Sequence, residues 1–384
     1  MPDAVIVAAA RSPIGRAVKG SLRSMRADDM AAAMVRAALA AVPALDPLAI
    51  DDIMLGCAQP AGEQGYGMAR VVAVMLGLDD VPGTVSQRYC ASSLQTTRMA
   101  LHAIRAGEAH ALVSAGAESV SRYDRGKSDG MPDTKNPLFE AGLLPNVYIA
   151  MGETAENVAA LKNVSRRRQD EFGARSQRLA QEAIAAGFFG IDITPVELPD
   201  GTIVGQDDGP RAGVTADSLA ALKPAFRPDG TVTAGNCCPL NDGAAALIVM
   251  SDVRAAELGV TPLARIVSSG VSGVSPEIMG MGPVEASRRA LANAGMSVDD
   301  IDLVEINEAF AAQVLPCIDE LKIHPDKVNV HGGAIALGHP FGQTGARLTT
   351  TLINGLRFRD AHTGLVTMCA AGGQGMALVL ERLS

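Results

Sequence analysis

The strongest constraint on the fold is that the chain repeats itself. Ala38-Leu39, followed by Ile50-Asp51-Asp52-Ile53-Met54-Leu55, recurs late as Ala290-Leu291 followed by Val298-Asp299-Asp300-Ile301-Asp302-Leu303. The run from Leu94 to Ala117, a helical period and then a strand ending in Gly116, resembles Ala346 to Gly372 in the same order. A duplication of this kind predicts two similar halves about a pseudo-twofold axis, with equivalent helices meeting near the centre. At 384 residues the chain is also too long for one small core.

Each half alternates short apolar runs with amphipathic ones. Ala4–Ala10, Ile53–Gly56, Ala111–Gly116, Ala244–Met250, Arg265–Gly270, Ile301–Ile306 and Gly364–Met368 read as strands. Asp28–Ala41, Ala69–Leu76, Ser92–Ala106, Pro283–Ala294 and Ala346–Leu356 read as helices. Gly107 is a helix stop. Alternation of this type predicts a largely parallel sheet with helices on its faces.

Between about Ser121 and Pro239 the texture changes. Gly126-Lys127-Ser128-Asp129-Gly130 and Asp207-Asp208-Gly209-Pro210 are polar and rich in breakers, and Ser165–Ala186 is a charged helix. This reads as an insertion laid over the scaffold, the kind of segment that carries function. Its Arg166-Arg167-Arg168 run reads as a solvated helix face.

The net charge of −9 without a basic run argues against nucleic acid as partner. No apolar run reaches the roughly 20 residues that span a bilayer, and neither end reads as a targeting signal, so the cytoplasm is the expected location. Six cysteines without a Cys-x-x-Cys pair predict free thiols, and no His-Glu-x-x-His or carboxylate cluster suggests a metal.

Four stretches carry potential chemistry. Cys90 precedes a predicted helix, whose free N–H groups and dipole favour a thiolate; a buried structural cysteine is the alternative. His339 stands between Gly338 and Pro340, which suits a fixed imidazole able to take a proton; it could equally be satisfied by a turn. Cys369-Ala370-Ala371-Gly372-Gly373-Gln374-Gly375 follows a strand, and such a turn can aim N–H groups at an oxyanion or simply join two strands. Asn307, in Asn307-Glu308-Ala309-Phe310, reads by itself as a helix cap. The glycine runs lack the Gly-Lys-Ser/Thr ending of a phosphate loop.

Taken in order, these stretches resemble the thiolase family. The match runs from Arg11-Ser12-Pro13-Ile14-Gly15 through Cys90, Gly235-Asn236, Asn241-Asp242-Gly243-Ala244-Ala245, Met281-Gly282-Pro283 and Asn307-Glu308-Ala309-Phe310. It ends with Gly332-Gly333-Ala334-Ile335-Ala336-Leu337-Gly338-His339-Pro340 and Cys369 with its glycines, so it covers essentially the whole chain. The resemblance implies an α/β thiolase fold: two similar βαβαβ-type halves with stacked mixed sheets in αβαβα layers, and an inserted loop domain. The implied boundaries are 1–120 for the first half, 121–239 for the loop domain, 240–258 for a return to the first half and 259–384 for the second half.

The implied activity is acyl-CoA acetyltransfer. Cys90 would be the acylated nucleophile and His339 the acceptor of its proton. His339, with a water held by Asn307, would bind the thioester oxygen; Cys369 would be the second acid/base; N–H groups of Cys90 and Ala371 would form a second oxyanion hole. Arg211, Ser218, Leu222, Phe226, Ala234, Cys238 and Phe310 would line the coenzyme A site. No permanently bound cofactor is implied, coenzyme A being a substrate. The implied assembly is a homodimer or homotetramer, with a β-oxidation partner subunit as a further option.

The chain departs from the family pattern at Gln87, Ser93, Ala150, His331, Cys238 and Ala371. Ala371 replaces a glycine and would be strained if its φ were positive. His331 and Phe341 resemble fatty-acid-oxidation members, which mildly favours the degradative direction over condensation of two acetyl-CoA. A non-catalytic acyl-CoA-binding subunit is the alternative from another class. Cys369 speaks against a decarboxylating condensing enzyme on the same fold.

Overall fold

The computed structural model describes residues 1–123, 135–140, 142 and 144–384. The polar run Gly126–Gly130 lies outside the described residues. Nine strands build the scaffold, if two-residue strands are set aside: β1 (Ala4–Arg11), β2 (Asp52–Gly56), β3 (Gly83–Ser86), β4 (Ala111–Ser119), β5 (Asn241–Ser251), β6 (Ala264–Gly273), β7 (Leu303–Ile306), β8 (Thr363–Ala370) and β9 (Gln374–Arg382). The main helices are α1 (Ala27–Ala40), α2 (Met68–Met75), α3 (Ser92–Ala106), α4 (Met151–Leu161), α5 (Arg166–Ala185), α6 (Gly282–Ala294), α7 (Ala311–Leu321) and α8 (Thr344–Phe358).

The duplication expected from the sequence is visible in strand order. The first half runs β3-β2-β4-β5-β1. The second runs β7-β8-β9-β6, and Val328 bridges Val304 in parallel where the first half has β3. The halves join where β1 meets β6 antiparallel, Val5 opposite Arg265 and Ile6 opposite Ala264.

The sheets are mixed, not largely parallel. β3, β2 and β4 are parallel, but β5 is antiparallel to both β4 and β1. Likewise β7 and β8 are parallel, while β9 is antiparallel to β8 and β6. The reason is connectivity. β8 and β9 are joined only by residues 371–373, too few for a crossover, so they must form a hairpin.

Among the described residues three large apolar cores hold five layers together, the central one covering both faces of the middle helix layer. Met30, Met34 and Val35 of α1 and Val72 of α2 pack on Val113 and Ile248 at one outer face. Val284 and Leu291 of α6 and Val314 of α7 pack on Ile306 and Val379 at the other. Between the sheets, Leu94, Leu101 and Ile104 of α3 and Leu348 and Leu352 of α8 fill the centre with Leu247, Val366 and Leu378. Each such leucine, fully buried, contributes about 2 kcal/mol. Among the described residues no helix is long and apolar enough to cross a membrane.

The two central helices meet at their N-terminal ends. A Cβ on Gly345 would lie 2.2 Å from the backbone nitrogen of Leu94, so only glycine permits this approach. The Ala346 N–H donates to Ser93 Oγ at 2.9 Å, which gives the unusual Ser93 a purpose.

Candidate active site

Cys90 stands one residue before the N-cap of α3. The preceding Tyr89 has φ 45°, a left-handed conformation that costs a bulky residue about 1–3 kcal/mol. Ser92 holds this turn: its Oγ donates to Tyr89 O at 2.6 Å and accepts Arg88 N–H at 2.9 Å. The N–H groups of Cys90 and Ala371 both favour the ionised sulfur. Even so, burial, then Cys369 and Glu118, push the thiol well above its ordinary range. This corrects the expectation of a resting thiolate: desolvation outweighs the helix N-terminus.

His339 is buried and pushed down to about 3, first by burial and then by the nearby Arg347 cation. Its Nδ1 lies 2.7 Å from Thr344 Oγ1, which is also 2.7 Å from the Pro340 carbonyl. A hydroxyl has one proton. Donated to Pro340, it leaves Thr344 as acceptor, which assigns the histidine proton to Nδ1 and the lone pair to Nε2. Nε2 faces the amide of Asn307 at 3.3 Å. Asn307 is not a helix cap: α7 starts four residues later behind Phe310. Its backbone is tied to Thr367 O at 3.0 Å, and its buried Oδ1 has no hydrogen-bond partner among the described residues.

Cys369 is buried near the end of β8, its thiol pushed up to about 12, mainly by desolvation. The turn that follows takes its left-handed residues at Gly372 (φ 75°) and Gly373 (φ 80°). Ala371 has no positive φ, so the alanine carries no strain there. Cys238 adds a third thiol: burial and then Cys237, Cys90 and Cys369 all raise it. Its N–H is anchored to Ala309 O at 3.0 Å.

The residues expected to line the coenzyme have the following surroundings. Phe226 meets Phe310 edge-on at 6.0 Å, and its ring occupies the place of a Cβ on Gly152. Leu222 packs on Gly235, beside the exposed Ala234. Cys238 is adjacent to a Cys237–Phe310 bridge, which ties its segment to Phe310. Leu222 and Phe226 stay about 40% exposed, at 39% and 41%. Arg211 lines an open cleft of about 530 Å³ with Arg175 and Arg178. Ser218 is occupied by a capping box with Thr215. Arg166 is not simply solvated: besides Asp170 it holds the carbonyls of Leu219 and Leu222 at 2.8 and 2.9 Å, fixing the loop that presents Leu222.

Two further residues escaped the sequence reading. Thr344 was one; its signal was a hydroxyl at the start of a helix just beyond His339. The other is Glu118, fully buried in β4, where a lone acid in an apolar strand was the available sign. Its carboxylate accepts from Ala58, Gln59 and Gly342 N–H and from Gln64 Nε2, fastening the loop after His339 to the first half. His331 lies outside this cluster. It stacks on Phe188 at 3.7 Å, has no hydrogen-bond partner among the described residues, and is pushed down to about 4 by burial. Phe341, by contrast, sits edge-on to His339 at 5.2 Å.

Known proteins resemble this chain from end to end. The thiolase N-terminal domain model matches residues 4–253 and the thiolase C-terminal domain model residues 260–382. A 3-ketoacyl-CoA thiolase of Serratia proteamaculans is 45% identical, with all of both chains covered. One of Bacillus subtilis is 44% identical over 99% of this chain and 100% of its own. The crystal structure of the Bacillus anthracis acetyl-CoA acetyltransferase superposes with a TM-score of 0.90 at 40% identity, covering 100% of this chain and 99% of that one. With both domain models matched and full-length relatives at this identity, the chain belongs to the thiolase family.

Proposed function

We propose that this protein is an acyl-CoA acetyltransferase that cleaves 3-ketoacyl-CoA with coenzyme A, giving acetyl-CoA and a shortened acyl-CoA. The observation that carries the reading is a buried His339 fixed by Thr344 at 2.7 Å, with Asn307 at 3.3 Å from its Nε2; Cys369 and the Ala371 N–H, in turn, both act on the Cys90 thiol. The relatives named 3-ketoacyl-CoA thiolase support the degradative direction.

At rest the site is neutral: burial keeps the proton on Cys90 and off His339. Attack on the ketone carbon therefore transfers the Cys90 proton to His339 Nε2 as the C–S bond forms. The new Nε2–H, with Asn307, then faces the thioester oxygen of the leaving fragment. The carbon–carbon bond breaks, its electron pair goes to the thioester enolate, and Cys369 protonates the carbanion to give acetyl-CoA. The acyl group stays on Cys90, its oxygen held by the Cys90 and Ala371 N–H groups, a type of contact worth about 3 kcal/mol each. Coenzyme A gives its thiol proton to Cys369 and takes the acyl group; His339 returns the proton to Cys90. The three groups titrate together rather than singly.

The coenzyme would lie along Phe226, Leu222, Ala234 and Cys238, with Arg211 and Ser218 further out and Phe310 behind Phe226. The domain division at 120, 239 and 258 belongs to this proposal: a loop segment over the coenzyme and two catalytic halves. So do a cytoplasmic location and a homodimer or homotetramer, with or without a β-oxidation partner subunit. The test is thiolysis of acetoacetyl-CoA and of a longer 3-ketoacyl-CoA by wild type, Cys90→Ala and Cys369→Ala, with mass spectrometry of the acyl adduct. Loss of adduct and turnover in Cys90→Ala is expected; unchanged turnover would remove Cys90 from the mechanism.

A further inference from the structure

The two oxyanion donors proposed above come from different halves of the molecule, each on a turn. Cys90 follows the left-handed Tyr89; Ala371 precedes two left-handed glycines. Glycines give a turn freedom, and acyl transfer requires the two N–H groups to stay at a fixed separation. Something must hold the turns together.

Arg88 and Gln374 make that link. Arg88 Nη1 donates to Gln374 Oε1 at 2.7 Å, and Gln374 Nε2 donates to the Ala371 carbonyl at 3.1 Å. A second bond from Arg88 Nε to Gln95 Oε1 at 3.1 Å anchors the guanidinium to α3. Gly372 is enclosed by the same parts: a Cβ there would lie 3.7 Å from the Tyr89 ring and 3.8 Å from Gln374 Nε2. The Ala370 plane is fixed by its register opposite Gln374. With the Ala371 carbonyl held as well, the peptide planes on both sides of Ala371 are fixed, and its N–H has one direction. The fork of an arginine suits this task, because it reaches Gln95 and Gln374 at once. Among the described residues Arg88 forms no ion pair with a carboxylate, and its side-chain hydrogen bonds go to the two amides.

We propose that Arg88 and Gln374 are positioning residues that lock the Ala371 turn against the Cys90 turn for acyl transfer. The inference rests on Cys90 being the acylated nucleophile. The experiment compares Arg88→Met, Gln374→Met, the double variant and Arg88→Lys with wild type, reading three quantities. These are kcat and KM for acetoacetyl-CoA thiolysis, the rate of Cys90 acylation, and the rate of Cys90 alkylation by iodoacetamide, which needs no oxyanion donor.

Each single methionine variant should lower kcat and acylation about tenfold, with KM and alkylation within about twofold of wild type. The double variant should be no worse than the singles, because one chain of bonds is broken only once. Arg88→Lys should recover part of the rate, since an ammonium reaches one amide but not both. Wild-type kcat in either single variant, additive losses in the double, or alkylation falling in step with acylation would overturn the clasp. If Arg88→Met melts early, Gln374→Met, at the half-exposed start of β9, decides alone. Wild-type protein that forms no Cys90 adduct would instead bring down the proposed function, and the clasp with it.

Discussion

Replacing Thr344 by valine tests how His339 is prepared for proton transfer. The substitution keeps the shape and removes one oxygen. That oxygen accepts the His339 Nδ1 proton at 2.7 Å and donates to Pro340 O at 2.7 Å. Pro340 O keeps the Thr344 N–H at 3.1 Å, so the helix start retains a bond. Nδ1–H does not; a buried donor without a partner costs about 1–3 kcal/mol. The imidazole can avoid that cost by moving its proton to Nε2. There it opposes the Asn307 amide at 3.3 Å and removes the lone pair that takes the Cys90 proton. Each 1.4 kcal/mol against the active tautomer is about tenfold in rate, so kcat/KM should fall roughly 10- to 100-fold. The assay is thiolysis of acetoacetyl-CoA by Thr344→Val and Thr344→Ser, with melting curves to confirm folding. Serine, which keeps the hydroxyl, should stay near wild type. Valine within twofold of wild type, in a folded protein, would refute the tautomer argument.

Other outcomes follow from the same geometry. Phe226→Ala removes a half-exposed ring from the proposed coenzyme track, so KM for CoA substrates should rise about tenfold with kcat little changed; equal losses in kcat would place Phe226 elsewhere. Buried Glu305 is pushed up to about 8 from 4.5, by desolvation against the opposing Arg347 cation. The folded form thus holds its proton more tightly than the unfolded chain. That contribution to stability is complete below about 4.5 and lost as pH rises through about 8. Glu305→Gln should therefore gain on wild type in melting temperature between pH 5 and 8.5, and a pH-independent difference would contradict this.

Much of the scaffold was legible because it depends on local pattern. The helical period from Ser92 to Ala106 with Gly107 after it matches α3, whose C-cap glycine has φ 77°. Seven strand positions were found for the same reason, though β4 and β8 extend beyond their apolar runs to Ser119 and Ala370; β3 and β9 were missed. The mixed sheets implied by the family resemblance are present, whereas alternation alone misjudged strand direction, because it says nothing about the return of a chain after a long insertion. β5 starts at Asn241, far from β4, and runs back against it.

By itself the sequence determined the duplication, the order of the elements and the family, since motifs such as Cys90, His339 and Cys369 in sequence are one-dimensional facts. Only the tertiary structure decided their ionisation and partners. Burial set the neutral pair of Cys90 and His339 against what a helix N-terminus alone suggested. Glu118 reaches Gly342 and Arg88 reaches Gln374 across hundreds of positions of chain. Local pattern encodes which residues become a strand or a helix. Solvent exclusion and long-range hydrogen bonds exist only after the two halves have closed on each other.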